Sequence, residues 1–189
     1  KVFYFLLVSL LTVALLTFVV SQKFYIFDAC EEKAKDLVPR SEWTKTSPAT
    51  DKEIAKFPNR FQAKCATNTR AQYLAQADGS VQVLNSCVTT DGSTIDALGK
   101  AHQVGTATSP KLQVRFAPAW LSFIPMVWGN YWIIDLDPQY QWVVVSEPSR
   151  EYLWILSRTP ELPAATYQSL LDKLAANGFD LQRIQLSTP

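Results

Sequence analysis

"EYLWILSRTPELPAATYQSLLDKLAANG", residues 151–178, changes its period halfway along. In the first part Tyr152, Trp154, Leu156 and Arg158 fall on one face of an alternating run, the signature of a half-buried strand. After Pro163 the spacing lengthens: Tyr167, Leu170, Leu171 and Leu174 recur as on one face of a helix, and Gly178 supplies the stop. "FDLQRIQL", residues 179–186, then reads as one more short strand.

Upstream, the period of two continues. "ATNTRAQYLAQ" and "VQVLNSC" flank Asp78-Gly79, a strong hairpin signal. "IDALGKAHQV", "KLQVRF", "YWIIDLD" and "WVVVSE" follow, parted by "GTATSP", a long apolar loop and "DPQY". Short strands at this spacing with Gly/Pro turns describe a mainly β chain, an antiparallel barrel or sandwich with one helix.

Charge and composition remove several function classes. Eighteen Lys and Arg stand against 17 Asp and Glu, so the net charge of +1 points to no nucleic acid and no acidic partner. The single histidine, His102, argues against a histidine metal site or a catalytic triad. Cys30, Cys65 and Cys87 lie too far apart for a zinc knuckle or redox pair. Asp135 and Asp137 share a strand face near a turn, where paired acids are usually solvated. No catalysis, metal or cofactor is expected.

The chain opens on "KVFYFLLVSLLTVALLTFVV", uncharged from Val2 to Val20. About 20 such residues span a bilayer as a helix. Residues 1–23 therefore read as a single transmembrane helix, a signal anchor, with a cleaved secretory signal as the competing reading. Residues 24–52, with "SEWTKTSPATD", read as a linker, and residues 53–189 as the folded domain. The anchor would sit in the inner membrane with the domain on the periplasmic side.

This order of elements carries words that resemble the lipocalins, within them the bacterial outer-membrane lipocalin and apolipoprotein D branch. The matching text is "EIAKFPNRF", "DGSVQVLN", "GKA", "KLQVRF", "YWIIDLD", "YLWILSRTPELP" and "GFDLQRI", between residues 53 and 186. The resemblance implies an eight-stranded antiparallel up-and-down barrel with a helix packed outside, holding one small ligand. It also implies a ligand pocket lined by Tyr73, Asn85 and Tyr131, while strand parity adds Leu112, Val114, Phe116 and Trp154. Arg158 would close the barrel floor. One departure stands out: where that branch has Gly-x-Trp-Tyr, this chain has Ala49, Thr50, Asp51 and Lys52. Arg158 then lacks its stacking tryptophan, and Trp43 is the available substitute.

Counting strands within that barrel puts "APAWLSFIPMVWG" at the open end. Trp120, Leu121, Phe123, Ile124, Met126, Val127 and Trp128 then form an apolar lip, which either contacts a membrane or a partner protein or folds back as a lid. Cys65 and Cys87 have inward parity at the same end. A disulfide between them requires a bulge, because simple hairpin register sets Cys87 near Arg70. The expected function is that of a membrane-anchored, non-enzymatic lipocalin that binds or stores a fatty acid, lysophospholipid or similar lipid. The alternative is an accessory structural subunit of a larger membrane protein complex, docking through its helix and lip.

Overall fold

The computed structural model of the chain describes residues 49–106 and 109–189. In chain order it contains β1 (Ala49–Lys56), β2 (Cys65–Ala75), β3 (Val81–Thr89), β4 (Thr94–Gln103) and β5 (Lys111–Arg115). There follow β6 (Gly129–Leu136), β7 (Trp142–Ser146), β8 (Leu153–Ser157), the helix α1 (Ala164–Ala176) and the two-residue β9 (Gln185–Leu186). Strands β1 to β8 each pair with the next, and β1 returns to β8. The result is the expected closed eight-stranded antiparallel barrel with one helix. The expected membrane span, residues 1–23, lies outside the described residues, as does the linker up to residue 48. Among the described residues no helix is long and apolar enough to cross a membrane.

The barrel begins earlier than residue 53. Ala49–Lys52 pair with Arg70–Tyr73 of β2, so the stretch without the Gly-x-Trp is wall, not linker. A register shift between Glu53 and Ala55 then inserts one extra residue, Ile54. Before the shift Asp51 and Glu53 face the lumen; after it Lys56 does, opposite Trp154, while Ala55 lies opposite Ile155. A bulge of this kind bends the strand and lets the sheet close.

The alternation read in β8 decides where the helix sits. Leu153 and Ile155 point outward, and with Ala55, Phe57 and Val144 they form the bed for Leu170 and Leu174 of α1 and for Phe179. Apart from the small Ala55, each of these buried side chains contributes about 1.5–3 kcal/mol. Lys173 of α1 reaches Asp135 at 2.7 Å, fixing the helix along β6. Gly178, at φ +75°, ends the helix in the left-handed conformation that a side chain disfavours.

"FDLQRIQL" is not one strand. Asp180 accepts from the Gln182 backbone N–H and starts a 3-10 turn over Leu181–Arg183, leaving only β9 extended. The tail beyond it fills a wedge. Past Lys52, β1 bends away from β2, and the gap is bridged by Ser187 N–H to Ile54 C=O and by Asn68 N–H to Thr188 C=O, both 2.9 Å.

Cys65 and Cys87 are joined, with Cα atoms 5.5 Å apart. The irregular start of β2 permits this: register shifts between Cys65 and Thr67, and between Thr67 and Arg70, carry Cys65 opposite Thr89. The bond spans a sequence separation of 22 residues at the mouth of the barrel. For a loop of that size, its removal in the Cys65→Ser, Cys87→Ser variant is expected to cost about 3 kcal/mol. Urea unfolding of the variant beside the oxidised parent measures the loss.

Candidate functional site

Strand parity sends Tyr73 and Val83, Asn85 and Ala97, Leu112 and Tyr131, and Val114 and Ala101 to the inner face. Tyr73 and Tyr131 come from opposite walls and meet, hydroxyl to hydroxyl, at 2.8 Å. Burial holds both phenols well above the ordinary value, and the neighbouring Asp51 adds to this. Both therefore stay protonated and act as neutral hydrogen-bonding groups. Beside them Asp51, 6% exposed, stands with Oδ1 2.8 Å from Arg158 Nε. That contact is an ion pair without an aligned hydrogen bond. Asp51 is the described partner of Arg158, whose side chain stays 35% exposed at the closed end, and Trp43 lies outside the described residues.

Above this base an aromatic ladder climbs the wall. Trp154 lies 6.4 Å from Tyr131, Tyr152 stacks on Trp154 at 5.9 Å, and Phe61 on the rim meets Tyr152 at 5.6 Å. The ladder is tied to a second polar group. Trp154 Nε1 donates to Gln62 Oε1 at 3.0 Å, and Gln62 donates to Glu53, whose carboxylate also takes Lys56 at 2.9 Å and Ser187 at 2.6 Å. Glu53 was silent in the sequence, because its inward position depends on the strand phase ahead of the bulge. Gln62 was equally so, since it lies in a 3-10 turn rather than a strand.

The upper wall is incomplete on one side. β5 pairs only with Lys100–Gln103 of β4, leaving Thr94–Gly99 without a β5 partner. On the inner face of that free stretch Ile95 is 39% exposed and Ala97 is exposed. Phe116 closes the lower corner by lying over Gly99, where an added Cβ would meet the ring at 2.7 Å. Asn85 is half-buried on the same inner face, and its amide makes no side-chain hydrogen bond among the described residues. Leu112 and Val114 are half-buried in the wall below.

The apolar loop sorts its side chains by a period of three. Two 3-10 turns, Ala119–Leu121 and Pro125–Val127, place every third residue on one side. Trp120, Phe123 and Met126 are 72%, 77% and 92% exposed, whereas Leu121, Ile124 and Val127 are half-buried. Trp128 departs from the expected lip. It lies over the Arg115 guanidinium at 5.3 Å and edge-on to His102 at 4.5 Å, held by Nε1–H to Ser122 C=O at 2.8 Å. Its neighbour Gly129 begins β6, and that strand's phase turns Trp128 to the outer wall.

A family model described as a lipocalin-like domain matches residues 50–189. Temperature-induced lipocalin-1 of Arabidopsis thaliana is 40% identical over 134 residues, covering 70% of this chain and 71% of that protein. The outer membrane lipoprotein Blc of Escherichia coli (strain K12) is 36% identical over 132 residues, 69% of this chain and 70% of that one. Apolipoprotein D of Mus musculus is 31% identical over 139 residues, 70% and 69% respectively. Among solved structures, apocrustacyanin C1 superposes with a TM-score of 0.62 at 13% identity, covering 84% of each chain, a likeness of fold alone.

The floor ion pair has a pH signature. Burial raises the Asp51 pKa above its ordinary 3.8, and Arg158 offsets this only in part. The folded state thus keeps a proton that the unfolded chain has released, so the contribution is full below 3.8 and is lost as pH rises through the raised value. Melting temperatures taken between about pH 3.5 and 7 should show the parent losing ground against Asp51→Asn as pH rises. A constant difference across that range would mean Asp51 titrates normally.

Proposed function

The chain belongs to the lipocalin family, and from that premise we propose that it is a binding protein for a single-chain lipid, a fatty acid or lysophospholipid, carried in the upper half of the barrel. The observation that carries this reading is the contrast along the lumen. The base is filled by Tyr73, Tyr131, Asp51 and Arg158, while Ile95 and Ala97 higher up keep accessible surface on the inner face. An apolar chain laid against Trp154, Leu112, Val114 and Phe116 would leave water at about 25 cal/mol per Å². Asn85 and the two phenols offer neutral hydrogen-bonding partners to uncharged polar groups along the ligand. The reading needs no catalytic residue, metal or cofactor.

The second part of the proposal is that the lip meets a membrane surface. Trp120, Phe123 and Met126 form one exposed apolar face on a loop with no charged residue from Ala117 to Asn130. Two relatives bear names that place them with membrane or lipid, an outer membrane lipoprotein and an apolipoprotein. The apolar run from Val2 to Val20 would tether the domain to the same bilayer, on its periplasmic side. Burying the three exposed side chains contributes on the order of 5 kcal/mol.

Added oleic acid or lysophosphatidylcholine should quench Trp154 saturably, read as the difference between the parent and Trp154→Phe. Trp154→Ala should weaken binding about tenfold, equivalent to about 1.4 kcal/mol. No saturable change with either lipid, together with no lipid extractable from the purified protein, ends the carrier reading.

Docking is checked separately with phosphatidylcholine vesicles. The Trp120→Ser, Phe123→Ser, Met126→Ser variant should partition about 100-fold less well than the parent, a loss of about 3 kcal/mol. Equal partitioning of the two removes the lip from the interaction. Co-migration with a larger complex after mild detergent, in place of vesicle binding, would favour the accessory-subunit role.

A further inference from the structure

On the outer wall, just below the gap beside β4, lies a groove of about 610 Å³. Gln76, Asp78, Gln82, Lys100, Arg115 and Phe116 are among its lining residues. Arg115 is the anomaly. It is 7% exposed, its Nη1 donates to Ala117 C=O, and its Nε–H has no hydrogen-bond partner. No carboxylate pairs with it among the described ion pairs, and the Trp128 ring covers one face at 5.3 Å. A buried guanidinium without an anion is costly, and its planar fork is shaped for an oxyanion.

The neighbourhood has the matching charge. Lys100 is the cross-strand partner of Arg115, and His102 lies on the same outer row, edge-on to Trp128. Of the acids nearby, Asp78 is engaged by Lys100 at 2.7 Å through half-exposed side chains, and Asp96 lies further along β4. We propose that Arg115, with Lys100, forms an oxyanion site on the outer wall that takes a phosphate group. The site adjoins the gap beside β4: Arg115 points outward where Phe116, the next residue, turns in over Gly99. A phosphate-bearing amphiphile can therefore leave its head on Arg115 while its chain enters the lumen past Phe116. That last step rests on the lipid-carrier reading; the oxyanion site itself does not.

The test follows the Arg115 Nε–H signal in proton–nitrogen NMR, assigned by its loss in Arg115→Gln. Inorganic phosphate, dodecyl phosphate and dodecanol are added in separate titrations, with Trp154 fluorescence read in parallel. A saturable shift of the signal with inorganic phosphate supports the site as a receptor for free phosphate. A shift with dodecyl phosphate alone, accompanied by a Trp154 response, supports it as a head-group seat. Lys100→Gln should weaken either response about tenfold, and it serves if Arg115→Gln fails to fold. No shift with either phosphate overturns the site, whatever Trp154 does. A Trp154 response to dodecanol in that case leaves the carrier reading standing, and silence of Trp154 with a normal Arg115 shift removes the carrier reading alone.

Discussion

Closing eight antiparallel strands into a ring makes β1 answerable to three neighbours, and one extra residue reconciles them. At its start β1 must match β2, in its middle β8, and at its end the outer bed of the helix. A strand of unbroken alternation would send Asp51, Glu53, Ala55 and Phe57 all to the same face. With Ile54 inserted, the two acids stay inside while Ala55 and Phe57 turn out, where Phe57 is 1% exposed between the barrel and Phe179. The same residue turns Lys56 inward, so the carboxylate that the bulge leaves in the wall acquires its own cation. The wedge opened by the bend is the one filled by the C-terminal tail.

That constraint gives the lumen its electrical character. Two acids and two bases belong to the barrel interior or its floor, arranged as Asp51 with Arg158 and Glu53 with Lys56. Buried pairs of this kind are weak sources of stability, because desolvation consumes most of the Coulomb gain. Their effect lies in what they refuse. Each of these four charges already has an opposite partner, so none of them is left uncompensated. The other polar and aromatic groups described on the inner face, two phenols, one amide and a ladder of rings, are neutral.

Much of this was legible in the sequence, and the rest failed for physical reasons. The change of period between Trp154 and Leu170 located β8 and α1, and Asp78-Gly79 located the hairpin, because local backbone chemistry sets both. Tyr73 and Tyr131 came from the family resemblance, and strand parity set Trp154 on the same side as Arg158. Parity is blind to register shifts, however, and the decisive features lie at such shifts: Asp51 and Glu53 ahead of one, Cys65 at another. Trp128 misled for a related reason. It sits one residue before a strand, and the phase of that strand, not the apolarity of the loop, determines its side. The spacing of Trp120, Phe123 and Met126 was plain in the sequence, but it carried meaning only once the loop proved to be built of 3-10 turns.

The barrel has an end and a side, and the two are not equivalent routes. At the end, the disulfide ties β2 to β3, and Gln62 fastens the first loop to Trp154. Widening the rim there would break covalent or buried polar links. On the side, β4 keeps β3 but lacks a β5 partner along Thr94–Gly99, and what stands beside it is the loop of short 3-10 turns. Displacing a loop breaks fewer backbone hydrogen bonds than parting two strands, so a lateral opening would cost less than widening the rim. The exposed rings of the loop and the seat of Phe116 on Gly99 flank that opening. An apolar chain crossing there would pass from one apolar surface to another with little exposure to water.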